Sequence, residues 1–201
     1  MRVIAVGLTA LLLVAVGQLS AQQQQQQRQR PASPEGTAST QVNGRWIDIV
    51  HGKPILRGRT NIFGTGADYG KTLFDGGTVW RAGANVSTRL RNEMPLEIGG
   101  KRVPPGELVM LIDLKSEKDW TLILTAQSYA MNFDPQNTKD LYGGFNYRPE
   151  HDVTRARMTV DRLPYTVDQL MWWFSDVTPS GGTMRIAWER ITASVPFKIV
   201  Q

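Results

Sequence analysis

The chain has no cysteine and only two histidines, His51 and His151, among 201 residues. Without cysteine there are no disulfides, iron–sulfur clusters, thiolate zinc centres or lipid attachment through an N-terminal cysteine. Neither histidine has a partner four residues away, so no helical metal-binding pair exists. His151 sits between Glu150 and Asp152, but neighbours along an extended chain point apart, and three in a row seldom converge on one ion. No metal and no cofactor is expected, although His51 together with distant carboxylates stays open. Helical periodicity is scarce too, and no G-x-S-x-G elbow marks a serine nucleophile. Asn85-Val86-Ser87 completes a glycosylation triplet, a pattern common by chance. Carboxylate pairs for glycoside hydrolysis are defined by their separation in space, so none is assigned.

A long apolar run occurs once. VIAVGLTALLLVAV, Val3–Val16, follows the lone basic Arg2, and Leu19-Ser20-Ala21 then puts a small residue at a plausible cleavage point. The run is shorter than the roughly 20 residues a membrane span needs, and its layout is that of a cleaved signal peptide over 1–21. The polar stretch at 22–40, rich in glutamine, cannot bury enough apolar surface to offset its chain entropy and is expected to be a disordered leader. A single folded domain over 41–201 follows. Export to the periplasm or outside the cell is therefore expected, with no membrane span after cleavage. The formal charge of +5 is spread along the chain rather than gathered in the stripe that nucleic-acid binders show, so no nucleic-acid partner is expected.

What the domain has in quantity is period-two alternation. RWIDIVHG places Ile47 and Ile49 on one side. MPLEIGGKRV has Gly99-Gly100 between alternating runs, which is hairpin chemistry. ELVMLIDL is apolar on both faces, as a central strand is. WTLILTA, VTRARMTV, the pair VDQLMWWFSDV and TMRIAWER around TPSGG, and SVPFKIV complete the set. Pro196 within the last of these predicts an edge strand. Asp134, Pro135 and Gly143 punctuate the one helical segment, about two turns long. Together these patterns predict an all-β antiparallel β-sandwich or jelly roll with one short helix.

The stretch IFGTGADYGKTLF, Ile62–Phe74, imitates a phosphate loop. A Walker A loop leaves four residues between its first glycine and the Gly-Lys pair. Gly66 leaves three before Gly70, Gly64 leaves five, and the required position holds Thr65. The dinucleotide fingerprint needs a following helix, and Gly76-Gly77 interrupts the sequence too soon for one. Nucleotide binding is therefore set aside.

Three stretches, GRTNIFG, YGK and VWRAGANVST, lead a series continued by IGGKRVPPGELVMLIDL, KDWTLIL, GGFNYRPEHDVTRARMTV and SVPFKIV. In this order they resemble the family of exported bacterial proteins designated domain of unknown function 2911, over Arg45 to Val200. His51 replaces an aromatic residue and Tyr142 a tryptophan that are commoner there. The resemblance implies an exported β-rich domain and supplies no activity.

Within that signature Arg59, Tyr69, Trp80, Arg81 and Asn85 are the candidate ligand-binding residues. Arginine offers a fork for carboxylates or sugars. Arg81 and Asn85 equally suit a role in pinning a glycine-rich loop to the sandwich. Of the adjacent Trp172 and Trp173, one must be core and the other outward. The leading expectation is a non-catalytic module that binds a polysaccharide or envelope component. A hydrolase acting on such a polymer and a structural envelope scaffold with protein partners are the alternatives.

Overall fold

The alternating segments become ten strands among the residues that a computed structural model of the protein describes, 31–200. The expected signal peptide and the leader as far as residue 30 lie outside the described residues. Strands β1 (Glu35–Val42), β2 (Arg45–Gly52), β3 (Thr88–Asn92), β6 (Gly106–Ser116), β7 (Asp119–Thr125) and β8 (Asp152–Arg157) form one sheet in that spatial order. Strands β4 (Leu96–Ile98), β5 (Lys101–Val103), β9 (Thr159–Thr178) and β10 (Gly181–Ile199) form the second, ordered β5-β4-β10-β9. The strand pairings are antiparallel. The fold is thus all-β, in two antiparallel sheets. Gly99 and Gly100, both at positive φ, turn β4 into β5 as expected. Trp172 is core and its indole donates to the Ala82 carbonyl (3.0 Å), while Trp173 is half-buried.

Three sequence expectations are corrected. The folded unit starts at Glu35, not Gln41. EGTASTQV carries almost no large apolar residue because β1 is an edge strand that half-buries only Gly36, Ala38 and Thr40 before Val42. Its end is held by the Arg89 guanidinium, which donates to the Glu35 carboxylate at 3.2 Å. SVPFKIV is not an edge strand, because β10 has neighbours on both sides. Pro196 is tolerated there because pairing with β9 stops at Ser194 and pairing with β4 begins at Lys198, so its missing N–H costs no rung. The expected helix from Asp134 is a chain of turns. Asp134 Oδ1 takes the Gln136 N–H, and Asn137 Oδ1 takes those of Lys139 and Asp140, diverting the donors a helix would use. Among the described residues, helical geometry is confined to single 3-10 turns at Gly66–Asp68, Lys71–Leu73 and Pro149–His151.

The core lies between the sheets. Ile47, Ile49, Leu90, Met110, Ile112, Leu122 and Leu124 face Leu96, Ile98, Met184, Ile186 and Phe197. An aromatic cluster is joined to it. Phe63 packs edge-on against Trp80 (5.7 Å between centroids, 90°) and Trp188 (6.3 Å, 77°), tilted against Trp120 (5.2 Å, 38°) and stacked on Tyr69 (6.2 Å, 20°). Trp80 in turn stacks on Trp188 (6.3 Å, 12°). Phe63 and Tyr69 both come from the glycine loop, and the loop closes on itself. The Gly70 amide donates to the Phe63 carbonyl (2.7 Å), and those of Gly64, Asp68, Tyr69 and Leu73 donate to carbonyls at Asn61, Thr65, Gly66 and Gly70. The amides are turned inward, away from any phosphate. Gly64 and Gly70 take positive φ, and a Cβ on Gly64 would stand 2.8 Å from the Asp68 carbonyl oxygen.

His51 closes the buried face of β2 beyond Ile49 and is only 4% exposed. Its Nδ1 lies 3.4 Å from the Ile49 carbonyl, and its Nε2 has no hydrogen-bond partner. Burial pushes its pKa down to about 4; nearby Lys53 adds to this, and the Ile49 carbonyl and Glu35 oppose it.

Two outcomes follow for stability. Phe63→Ala is expected to lower the unfolding free energy by about 3–5 kcal/mol, the usual loss for a buried aromatic, in urea titrations at neutral pH. Between pH 6.5 and about 4 the unfolded chain takes up a proton at His51 that the folded chain refuses. Stability from this group is therefore full above pH 6.5 and is lost as the pH falls, by about 3 kcal/mol at pH 4. Urea midpoints measured across that range should fall more steeply for the native protein than for His51→Phe.

Candidate functional site

Trp80 does not end at the core. Its backbone N–H and carbonyl exchange two 2.8 Å hydrogen bonds with Ile112 of β6, in line with the β3 residue Thr88, which pairs with Met110. Residues 81–87 are therefore an excursion whose two ends are fastened to neighbouring positions of one strand. RAGANVS suits that excursion residue by residue. Ala82 and Asn85 take positive φ. Gly83 passes the Gly52 backbone and the Thr88 hydroxyl, and a Cβ there would lie 2.8 Å from Thr88 Oγ1. Thr88 Oγ1 donates to the Ala82 carbonyl at 3.2 Å.

Arg81 is 7% exposed and is the hub of this loop. One guanidinium nitrogen donates to the Asn85 carbonyl (2.5 Å) and another to the Asp75 carboxylate. The flat cation lies over the Tyr142 ring, 5.5 Å from its centroid. Ser87 adds a second tie, as its hydroxyl accepts from the Gly143 amide (3.0 Å) and faces the Gly143 carbonyl (3.3 Å). The signature loop is thus the bed of a second, longer loop, 126–148.

The longer loop has no regular secondary structure, yet its course is closely specified. The buried Gln127 amide donates to the Lys139 and Asn146 carbonyls (3.2 and 2.7 Å) and accepts from the Arg148 amide (2.9 Å). Asn146, at positive φ, donates to the Asn137 and Asp140 carbonyls (2.7 and 3.1 Å). Leu141 is fully buried in a second apolar cluster with Val79, Val109, Leu111 and Ile123. A long loop held this rigidly is where binding groups are commonly carried.

Its outward side forms a hollow of about 220 Å³. Phe133, 54% exposed, leans on Tyr142 (5.7 Å between centroids) and Phe145 (5.4 Å). Asn132, Asn137, Thr138 and Asp140 stand at the margin. Hydrogen bonds from Ser128 and Asn137 hold the Asp140 carboxyl below its ordinary range. A ring face beside amide and carboxylate groups can stack on an apolar face and bond to hydroxyls at its edge.

The five residues expected to bind ligand do not converge. Trp80 is buried in the aromatic cluster and offers no surface. Tyr69 is buried as well, and its hydroxyl accepts from the Trp120 indole (3.0 Å). Burial pushes the Tyr69 phenol up to about 12; the Trp120 bond opposes this, while Glu117 and Glu189 add to it. Arg59 is exposed, donates to the Leu56 and Ile55 carbonyls (3.0 and 2.9 Å) and lies over Trp188. Arg81 and Asn85 do meet, but as a clasp beneath Tyr142. Phe133 was not among the candidate ligand-binding residues, although an aromatic amid Asn, Asp and Pro is a usable sign of an exposed ring. Among the described residues no three histidine, aspartate or glutamate side chains gather as metal ligands would.

The chain belongs to the family described as "Protein of unknown function (DUF2911)", whose model matches residues 33–197. No curated protein and no solved structure matches it.

Arg81→Ala should leave the Asn85 carbonyl and the Asp75 carboxylate without their donor and cost about 1–3 kcal/mol. A Cβ on Gly143, at φ 61°, would run into the Arg81 guanidinium, so Gly143→Ala should act in the same direction. Hydrogen exchange would register either change as faster exchange over 128–146, with β6 and β7 still protected.

Proposed function

We propose that the domain is a non-catalytic binding module for a polysaccharide of the cell envelope or its surroundings, and that the chain is seated on the Phe133 hollow. The observation that carries this reading is a large aromatic ring kept half exposed at the lip of a hollow, in a loop tied at Gln127, Asn137 and Asn146. Soluble proteins seldom spend such rigidity on an exposed phenylalanine unless the ring meets something. At about 220 Å³ the hollow is smaller than the ~300 Å³ at which enclosed drug-sized sites begin. That size suits one ring of an extended polymer whose neighbours continue over solvent.

The carboxyls with perturbed pKa are all shifted down, so none of these four is suited to act as a general acid. Asp68, Asp140 and Asp176 are held low by hydrogen bonds from Lys71, Ser128 and Ser175 respectively. Burial raises Glu107, but hydrogen bonds from Arg91 and Tyr129 outweigh it and leave it lowered. A general acid needs the opposite shift. The apolar N-terminal run supports export, which is where such a polymer would be met.

The test is retention on a panel of insoluble polysaccharides and peptidoglycan sacculi. Native protein should bind at least one of them, and Phe133→Ala should weaken that binding about tenfold, or ~1.4 kcal/mol, with an unchanged melting temperature. Equal retention of the variant would refute the hollow as the site. Breakdown of the bound polymer by rigorously purified protein would refute the non-catalytic reading.

A further inference from the structure

A second concavity, of about 410 Å³, lies where the glycine loop, the β6–β7 hairpin tip and the irregular part of the β9–β10 hairpin meet. The half-buried Val160 and Ile191 contribute the accessible apolar lining, and the buried Phe63 and Tyr69 border it. The hairpin forms its part of the wall by departing from regular pairing. Glu189 pairs with Val167 and Ile191 with Arg162, so β9 has extra residues opposite Arg190. Glu189 sits at this irregularity with φ 55°. Its carboxylate accepts the backbone N–H groups of Asn61 (2.5 Å) and Ile62 (3.3 Å), fixing the glycine loop against the bend. Arg190 donates to the Leu163 and Pro164 carbonyls (3.3 and 3.0 Å). These two charges are used by the fold.

Four others are not. Glu117 and Lys118 at the β6–β7 tip, and Asp161 and Arg162 on β9, all line the cleft and are exposed. None of the four makes a side-chain hydrogen bond or ion pair among the described residues. Each element thus brings one unspent acid and one unspent base to the same cleft, and their charges cancel. A polyanion such as nucleic acid would meet two uncompensated carboxylates, and a polycation would meet two uncompensated cations, with like-charge juxtaposition opposing either. A ligand with one charge of each sign can pair with both kinds of group and set an apolar middle on the half-buried Val160 and Ile191. The volume falls in the ~300–1,000 Å³ range of small-molecule sites.

We propose that this cleft binds a short zwitterionic peptide, its terminal carboxylate toward Lys118 and Arg162 and its terminal ammonium toward Glu117 and Asp161. The site is independent of the Phe133 hollow, because the two share no lining residue.

The experiment titrates isotope-labelled full-length domain with the tripeptide Ala-Leu-Ala, followed by amide chemical shifts. Saturable shifts at Gly64, Lys118 and Arg162 are expected, with a Kd on the order of 1 mM or tighter. N-acetylation or C-amidation of the peptide should each weaken binding at least fivefold. Lys118→Ala with Arg162→Ala should abolish the penalty for C-amidation, and Glu117→Gln with Asp161→Asn the penalty for N-acetylation. Phe133→Ala should change none of this, which separates the cleft from the polysaccharide hollow. Absence of shifts at these residues up to about 10 mM peptide would overturn the proposal, as would doubly capped peptide binding as well as the free form.

Discussion

Everything in this domain depends on one packing constraint, the insertion of the Phe63 ring between Trp80, Trp120 and Trp188. Those tryptophans come from the signature segment, from β7 in the six-stranded sheet and from β10 in the four-stranded sheet. One side chain of an irregular loop therefore touches both layers of the sandwich. Large aromatics bury some 150–250 Å² each, and edge-on contacts add directional preference to that burial. The glycines around Phe63 serve this insertion. The chain must reverse tightly to bring Tyr69 back beside Phe63, and Gly64 and Gly70 take the positive φ values the reversal needs.

From that clamp the order passes outward in steps. Trp80 is held as a core residue and also as a rung beside β6, which leaves residues 81–87 no course but an excursion. The excursion wraps its own Arg81, whose flat cation supports Tyr142. Tyr142 supports Phe133 at the surface. A buried aromatic cluster and an exposed aromatic hollow are thereby connected through a single guanidinium. Such support is what a binding surface on a loop needs, because loops are otherwise the least rigid elements of a fold.

Much of the strand architecture was legible in alternation alone. Ile47 and Ile49 face inward, the doubly apolar ELVMLIDL is an interior strand, and Gly99-Gly100 makes a hairpin. Where the reading failed, a local signal lost to a distant partner. Residues 35–40 were expected to belong to the disordered leader, but they are strand, because an edge strand needs ladder partners more than apolar side chains. The Asp134–Gly143 segment carries good helix punctuation, but Asn137 captures the donors and Leu141 is drawn into the apolar cluster over the outer face of the first sheet. Pro196 marked a gap in pairing rather than a sheet edge.

The candidate site divides along the same line. The failure of the phosphate-loop spacing, the absence of thiol chemistry and the distinctness of the Arg59-to-Asn85 signature are properties of residue identity and order, and they stand without coordinates. That Arg81 and Asn85 clasp each other, that Trp80 and Tyr69 turn inward, and that Phe133 and the four unpaired charges at 117–118 and 161–162 face solvent are decided by tertiary structure. The physical reason is that burial and pairing belong to the space around a side chain. That space is enclosed by segments far away in sequence: Gly143 against Arg81, Glu189 against Asn61, Trp188 against Phe63.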